Sequence, residues 1–301
     1  MAQEKTFVVC VLEWFVNPDH LPLFVAKERG YFDAEGLEVA IVVPTVAEES
    51  LELVGRGKAD FGVGEQSNVI LAASRGLPVL AIGPLLIHTV VVFMVPASSE
   101  IASPADLRGK IIGWPGIEID LPFIHAVTEH AGLTPDDYDL KSVGFNLTEA
   151  LVSGEVDAVF GAFRNYEGVE AALKGTPMRF FHLADYGVPD LYQLVFLTHR
   201  GLAEADPDIC RRFMRAVAQG LEATQADPVA ALEAYLAANP TLRGELTEQA
   251  FAATLPFFPN PEELTMEPVR WAAAQEFLHA RGVVERTLPL EELFTDRFVT
   301  D

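Results

Sequence analysis

Apolar runs alternate with helical patterns along most of this chain. KTFVVCVLEW and LEVAIVVP are typical of buried strands. Between them, the spacing of apolar residues predicts a helix from Pro18 to Arg29, with Asn17 as its N-cap and Gly30 at its C-terminal end. Strands that alternate with helices in this way predict βαβ units and a mainly parallel sheet.

One pattern occurs twice. LELVGRGKADFGVG (residues 51–64) and LTEALVSGEVDAVFGAF (147–163) each contain a short helix, a glycine break, an aspartate and a short strand with glycine. The repetition predicts two lobes built on one plan. We expect lobe I to comprise residues 1–95 plus 196–301 and lobe II to comprise residues 96–195.

Length and charge limit the functions that the chain can have. Its 301 residues are 50% hydrophobic, which is enough for a sizeable core. Asp and Glu number 44 and Lys and Arg number 21, so the formal charge is −23. Phosphate backbones and anionic membranes repel such a chain, and we expect no nucleic-acid partner. Nothing in the sequence marks an oligomer interface, so we expect a monomer.

The two cysteines, Cys10 and Cys210, lie far apart in the sequence and form no CxxC pair. Thiolate metal binding is therefore not predicted, and we expect no metal site. Each cysteine lies in an apolar or helical pattern, which favours buried free thiols. A disulfide between them stays open at this point.

Ligands of open α/β sheets bind beyond the carboxyl ends of the strands. The side chains that follow the predicted strands are therefore candidates for a binding site. They are Trp14, Asn17, His20, Gln66, Ser67, Glu118, Asn165, Glu167 and Tyr186.

Each candidate also has a structural explanation. Trp14 can pack in the core, Asn17 can cap the helix, and a histidine in a first helical turn, as His20 is, commonly has a structural role. Gln66 and Ser67 can cap the helix that follows them, and Glu167 can be favoured at a helix start by the dipole.

The charge of the candidate segments indicates the kind of ligand. They contain one arginine, Arg164, and several carboxylates: Glu13, Glu65, Glu118, Asp120 and Glu167. Anions are usually bound by Arg, Lys or helix N-termini. The excess of carboxylates therefore favours a neutral or cationic heteroaromatic ligand.

Four stretches resemble the type 2 periplasmic binding proteins, and more narrowly the NMT1/THI5-like branch. They are HLPLFVAKERGYFDAEGLEV, GRGKADFGVG, SPADLRGKIIGWPG and GEVDAVFGAF, and the similarity extends from about Phe7 to Ala226. The resemblance implies two α/β lobes joined by a hinge of two chain crossings, with the ligand in the cleft between the lobes. The crossings would lie near Val95-Pro96 and near Tyr192–Thr198.

GFNLTEAL, GAFRNYE and DYGVPDLYQLV are similar to ThiY-type proteins. This implies the solute-binding component of an ABC importer, which closes on a thiamine precursor of the formylaminopyrimidine or hydroxymethylpyrimidine type. The partners would be that pyrimidine and an ABC permease, with no cofactor. In this scheme Trp14 stacks on the ring, Glu167 accepts from the exocyclic amine and a protonated ring nitrogen, and Tyr186 closes the pocket or belongs to the hinge.

Two alternatives remain open. Related proteins serve flavin uptake, so another flat heterocycle such as riboflavin is one alternative. The other is a pyrimidine synthase of the THI5 type, which uses a lysine carrying pyridoxal phosphate and a nearby histidine. Here the corresponding stretch, VGEQSNVILAA, contains neither residue. Without the lysine no Schiff base can form there, so we expect a binding protein and not an enzyme.

The start of the chain bears on its location. MAQEK leads into FVVCVL without the pattern of a signal peptide. The resemblance implies a periplasmic or extracellular, membrane-associated protein, while these residues leave a cytoplasmic location open.

Overall fold

Ten strands form two five-stranded sheets in the computed structural model, which describes residues 5–46 and 49–299. The strands are β1 Thr6–Val11, β2 Leu37–Val42, β3 Phe61–Gly64, β4 Val79–Leu86, β5 Val91–Pro96, β6 Ile111–Trp114, β7 Asp139–Ser142, β8 Ala158–Phe163, β9 Met178–His182 and β10 Leu194–His199.

Helices follow most of the strands and fill the last third of the chain. They are α1 Leu21–Glu28, α2 Tyr31–Ala34, α3 Glu49–Gly55, α4 Gln66–Ser74, α5 Asp120–His130, α6 Leu147–Val152, α7 Glu167–Leu173, α8 Arg200–Ala205, α9 Pro207–Ala226, α10 Pro228–Ala238, α11 Glu245–Thr254 and α12 Pro268–Ala280.

The two sheets share one topology. Their strand orders are β2-β1-β3-β10-β4 and β7-β6-β8-β5-β9. In each sheet the first three strands run parallel, and the fourth is antiparallel to both of its neighbours. The prediction of α/β architecture built twice on one plan is confirmed. The antiparallel fourth strands were not predicted, because apolar runs such as those of β5 and β10 carry no information about direction.

The chain divides into two units. Unit 1 contains Met1–His88 and Leu191–Asp301, and unit 2 is Thr89–Asp190. These boundaries precede those expected at residues 95 and 195, because β5 pairs with β8 and β9 and so belongs wholly to the second sheet. The two ends of unit 2 lie side by side, since the Thr89 N–H donates to Asp190 Oδ1 at 3.0 Å.

The turn after β1 follows local capping rules. The Asn17 Oδ1 accepts from the Asp19 N–H at 2.8 Å, and Pro18–His20 forms a short 3₁₀ turn before α1 begins. Gly30 ends this segment with φ of 73°, a left-handed conformation that glycine adopts at little cost. The predicted cap, helix and terminating glycine are therefore present, although the first turn is 3₁₀ instead of α.

The helical last third of the chain is part of the unit 1 core. Phe213 of α9 stacks on Phe61 of β3 with ring centroids 3.9 Å apart, and it also stacks on Phe32 at 5.4 Å. Helix α9 packs closely along α1. At Gly220 an added Cβ would overlap the carbonyl oxygen of Pro22, so the two backbones meet there.

Candidate functional site

The carboxyl ends of β1 and β3 and the amino end of the antiparallel β10 meet at one edge of the unit 1 sheet. Glu13 follows β1 and is only 2% exposed, and His20 is fully buried. Both oxygens of the Glu13 carboxylate lie on His20 Nε2, at 2.9 and 3.0 Å. The six residues between them fold into a tight turn that this pair closes.

The second ring nitrogen of His20 also has a partner, because the Asn17 N–H donates to Nδ1 at 3.3 Å. The neutral ring therefore carries its proton on Nε2, directed at Glu13. Burial lowers the pKa of His20, but the Glu13 carboxylate outweighs this and holds the pKa above its ordinary value. With both nitrogens occupied, His20 positions the turn; the prediction that it contacts ligand stays untested.

Three side chains of this turn remain partly exposed between buried neighbours: Trp14, Phe15 and Val16. The rings of Trp14 and Phe15 lie 5.8 Å apart and tilted by 42°. Asn17, by contrast, uses its amide on the backbone, since its Nδ2 donates to the Phe15 carbonyl at 3.2 Å. The turn thus presents an aromatic face and keeps its polar groups inside.

Glu65 lies directly after β3, at the same edge of the unit 1 sheet as the turn after β1. The Gln193 Nε2 donates to Glu65 Oε1 at 2.8 Å. Burial and the nearby charge of Glu13 raise the pKa of Glu65 to about 7, although hydrogen bonds from Gln193 and Ser67 act in the opposite direction. The turn after β1 and the start of α4 are therefore close enough to interact electrostatically.

Gln66 and Ser67, both predicted as ligand contacts, are buried at the start of α4. The Tyr192 N–H donates to Gln66 Oε1 at 3.0 Å. Among the residues that the structure describes, no acceptor reaches the buried Nε2 of Gln66. Ser67 supports Glu65 through its hydroxyl. Gln66 therefore ties α4 to the segment before β10, and one of its amide donors is left over.

In unit 2 the predicted residues Asn165 and Glu167 follow β8 and are 1% and 7% exposed. The Phe163 N–H donates to Glu167 Oε2 at 2.8 Å, so this carboxylate closes the turn that carries Asn165. Within that turn Arg164 is half-buried. Burial lowers the pKa of Arg164, while the carboxylate of Asp190 acts against this. The ligand-binding role of Asn165 and Glu167 stays a prediction.

The other two predicted residues of unit 2 lie elsewhere. Glu118 is exposed in the loop after β6. Tyr186 packs edge-on against His130, the last residue of α5, with ring centroids 5.5 Å apart. Their ligand-binding roles also stay predictions.

Sequence reasoning missed two residues that define the unit 1 edge. Glu13 was read as one carboxylate among several, and Gln193 was not singled out. Glu13 and His20 are seven positions apart in the sequence and belong to one turn. A carboxylate at a strand end followed by a histidine in the first helical turn is therefore a local signal that could have found this pair. The Glu65–Gln193 pair spans 128 residues and has no local signal.

Together these groups offer flat apolar contact, a carboxyl group with a pKa near neutrality, and amide donors. Among residues 5–46 and 49–299 no group of three His, Cys, Asp or Glu side chains could hold a metal ion. Within the same ranges, no helix is both long and apolar enough to cross a bilayer. The arrangement is suited to holding a small heteroaromatic molecule by stacking and hydrogen bonds.

Comparisons with known proteins agree with this picture. The family model described as NMT1/THI5 like matches residues 17–231. The formylaminopyrimidine-binding protein of Halalkalibacterium halodurans is 33% identical over 290 residues, which cover 92% of this chain and 88% of that protein. The 4-amino-5-hydroxymethyl-2-methylpyrimidine phosphate synthase of Legionella pneumophila is 30% identical over 304 residues, covering 100% of this chain and 95% of that protein.

Solved structures show the same fold. The periplasmic aliphatic sulphonate binding protein SsuA of Escherichia coli superimposes with a TM-score of 0.73 at 16% identity, covering 94% of this chain and 95% of that one. The predicted type 2 periplasmic binding protein fold is thereby confirmed.

Proposed function

Since this chain belongs to the NMT1/THI5-like family, we propose that it is the solute-binding component of an ABC importer and captures a pyrimidine precursor of thiamine. The observation that carries the proposal is the 33% identity to a formylaminopyrimidine-binding protein over 92% of this chain. The ligand would be of the formylaminopyrimidine or hydroxymethylpyrimidine type. Its partner would be a permease in the membrane, and its place of work outside the cytoplasm.

The unit 1 edge supports this ligand class. A flat ring can stack on the half-exposed indole of Trp14, an interaction worth about 1 kcal/mol beyond the area that it buries. The carboxyl group of Glu65 matches the exocyclic amine and the adjacent ring nitrogen of an aminopyrimidine. The cationic candidate in the described part of this edge, His20, is paired with Glu13, so it is not offered to an anionic ligand.

Synthesis of the pyrimidine is the second candidate function, because the Legionella synthase is 30% identical across the whole chain. That chemistry needs an amine for a Schiff base. The segment from β3 into α4 instead presents Glu65, Gln66, Ser67 and Asn68. We therefore propose binding without catalysis. Incubation with pyridoxal phosphate followed by borohydride should leave no site-specific adduct; a stoichiometric adduct on one lysine would overturn this.

The experiment that tests the proposed function is a titration of ligand-stripped, refolded protein followed by tryptophan fluorescence. The ligands are formylaminopyrimidine, hydroxymethylpyrimidine, thiamine and riboflavin. We expect saturation by an aminopyrimidine at micromolar concentration or below. Trp14→Ala should weaken binding by more than tenfold, or about 1.4 kcal/mol. Trp114→Phe is the matched control, because it removes the other half-buried indole and should keep the affinity.

The possible outcomes separate the alternatives. Saturation by riboflavin alone would keep the fold and replace the ligand class. No response to any of the four compounds, with calorimetry also silent, would contradict the proposed function. An affinity unchanged in Trp14→Ala would assign Trp14 to packing and remove the stacking contact.

A further inference from the structure

We propose that Glu65 recognises the amino edge of the pyrimidine as a neutral carboxylic acid, so that its O–H donates to the ring nitrogen and its other oxygen accepts from the adjacent amine. This inference rests on the proposed function and adds a specificity residue to it. It also makes capture depend on the protonation of this one carboxyl group.

The geometry fixes Glu65 on one side and leaves it accessible on the other. The side chain is partly exposed, whereas Gln193, which donates to its Oε1 at 2.8 Å, is only 4% exposed. In a neutral carboxyl group the carbonyl oxygen can accept a second hydrogen bond, and the hydroxyl oxygen carries a proton that it can donate. The Gln193 amide and the Ser67 hydroxyl therefore hold the carboxyl group, and neither uses its acidic proton, which the partly exposed side chain can donate to a ligand at the strand edge that carries Trp14.

Among the described residues, none of the groups that act on the pKa of Glu65 is a cation. The charged or titratable groups on the elements packed around it are Cys10 in β1, Glu13, Asp19 and His20 in the turn after β1, Glu49 and Glu52 in α3, Asp60 before β3, Arg75 after α4, Tyr192 before β10, His199 at the end of β10, Glu267 before α12, and Arg270, Glu276 and His279 in α12. His20 is paired with Glu13 at 2.9 Å. Arg270 stacks 3.9 Å from the ring centroid of Tyr192.

This excess of negative charge favours the protonated form of Glu65. Burial and the repulsion of Glu13 raise the pKa of Glu65 to about 7, so the carboxyl group carries its proton about half of the time at neutral pH. An ordinary glutamate, with a pKa of about 4.3, would be almost fully ionised there.

A neutral acid is the better complement to a neutral aminopyrimidine. The amino edge offers one donor, the amine, and one acceptor, the ring nitrogen, side by side. A carboxylate presents two acceptors, so one oxygen would face the lone pair of the ring nitrogen. A carboxylic acid presents one donor and one acceptor and makes two matched hydrogen bonds. The primary amide of glutamine presents the same pair without a titratable proton.

The experiment is calorimetric titration with formylaminopyrimidine from pH 6.5 to pH 9 for wild type, Glu65→Gln and Glu65→Ala. Glu65→Gln should bind within about fivefold of wild type at pH 6.5, because its amide replaces both hydrogen bonds. Wild type should then lose affinity relative to Glu65→Gln by about tenfold for each pH unit above 7. Glu65→Ala should bind at least about tenfold more weakly than wild type at pH 6.5, which is a loss of about 1.4 kcal/mol.

A second measurement separates recognition from a merely structural role. Titrations at pH 8 in two buffers with different ionisation enthalpies count the protons taken up on binding. Wild type should take up close to one proton more than Glu65→Gln. Equal proton uptake, equal pH profiles, or a loss in Glu65→Gln as large as that in Glu65→Ala would overturn the inference while the proposed function stands. No binding of any aminopyrimidine by wild type at pH 6.5 would overturn both.

Discussion

The contact between α1 and α9 yields a prediction whose sign the structure decides. Gly220→Ala replaces a glycine inside a long helix, and helix propensity alone would make this change stabilising by about 1 kcal/mol. The added methyl group, however, would overlap the Pro22 carbonyl oxygen and lie 3.0 Å from Ala26 Cβ and 3.2 Å from Ala26 N. Two of these three atoms are backbone, so no side-chain rotation can relieve the overlap.

The magnitude follows from the two opposing effects. Overpacking costs about 1–3 kcal/mol, and the upper end applies because α9 must move away from α1. Subtracting about 1 kcal/mol of helix propensity leaves a net destabilisation of about 2 kcal/mol. For a unit of this size that corresponds to a fall in Tm of about 4–8 °C.

Differential scanning calorimetry of the ligand-free protein measures this effect. Arg211→Ala is the control, since it changes an exposed position of the same helix and should alter stability by less than about 0.5 kcal/mol. A Tm for Gly220→Ala equal to or above that of wild type would refute the close approach of the two helices. The same result would also show that the C-terminal helices pack on α1 less tightly than described.

Three further predictions concern protonation and binding. The pKa of His20 is raised above its unfolded value of 6.5, so its contribution to stability is present below pH 6.5 and is lost as the pH rises through the folded pKa. Urea unfolding should therefore show a free energy of unfolding that declines from pH 6 to 9 in wild type and declines less in His20→Gln. Identical pH profiles for the two proteins would disprove the raised pKa. Burial raises the pKa of the free thiol Cys210 to about 12, and it also raises the pKa of the Cys10 thiol. A thiol reagent should therefore react with neither cysteine in the native protein and with both in guanidinium. Failure to react after denaturation would indicate a disulfide. Glu167→Gln should weaken pyrimidine binding by more than tenfold, or about 1.4 kcal/mol. The glutamine side chain has a single acceptor oxygen, and the Phe163 N–H would occupy it, so no acceptor oxygen would remain for the ligand. Unchanged affinity by calorimetry would remove Glu167 from the site.

Local rules recovered much of this fold. Asn17 caps its turn and Gly30 ends its helical segment as predicted, because both features depend on the conformation of a few consecutive residues. The repeated cassette also indicated two units of one plan, since the same apolar spacing produces the same local elements. The boundaries of the two units differ by several residues from the expected lobe boundaries, because β5 and β10 have the sequence pattern of any buried strand and only their pairing assigns them to a sheet.

The site was less predictable for a similar reason. Strand ends directed attention to Trp14 and Gln66, whose contact with ligand stays a prediction, but the chemistry of the edge depends on partners that are distant in sequence. Glu65 receives its anchoring amide from Gln193 and its elevated pKa from Glu13. Desolvation and charge proximity are properties of three-dimensional packing, so no spacing rule along the chain conveys them.

The position of β10 in the unit 1 sheet has a consequence for synthesis. Unit 2 contains all five strands of its sheet within one continuous segment, so it can complete its fold once residue 190 has been made. Unit 1 cannot do so, because β10 lies between β3 and β4 and is translated after all of unit 2. Strand β4 is buried along its whole length, and until β10 arrives its edge has no partner there. The nascent chain therefore carries an unpaired apolar strand for the time of about a hundred translated residues, a period of roughly 5–20 s at usual rates, and this is when we expect it to depend most on chaperones.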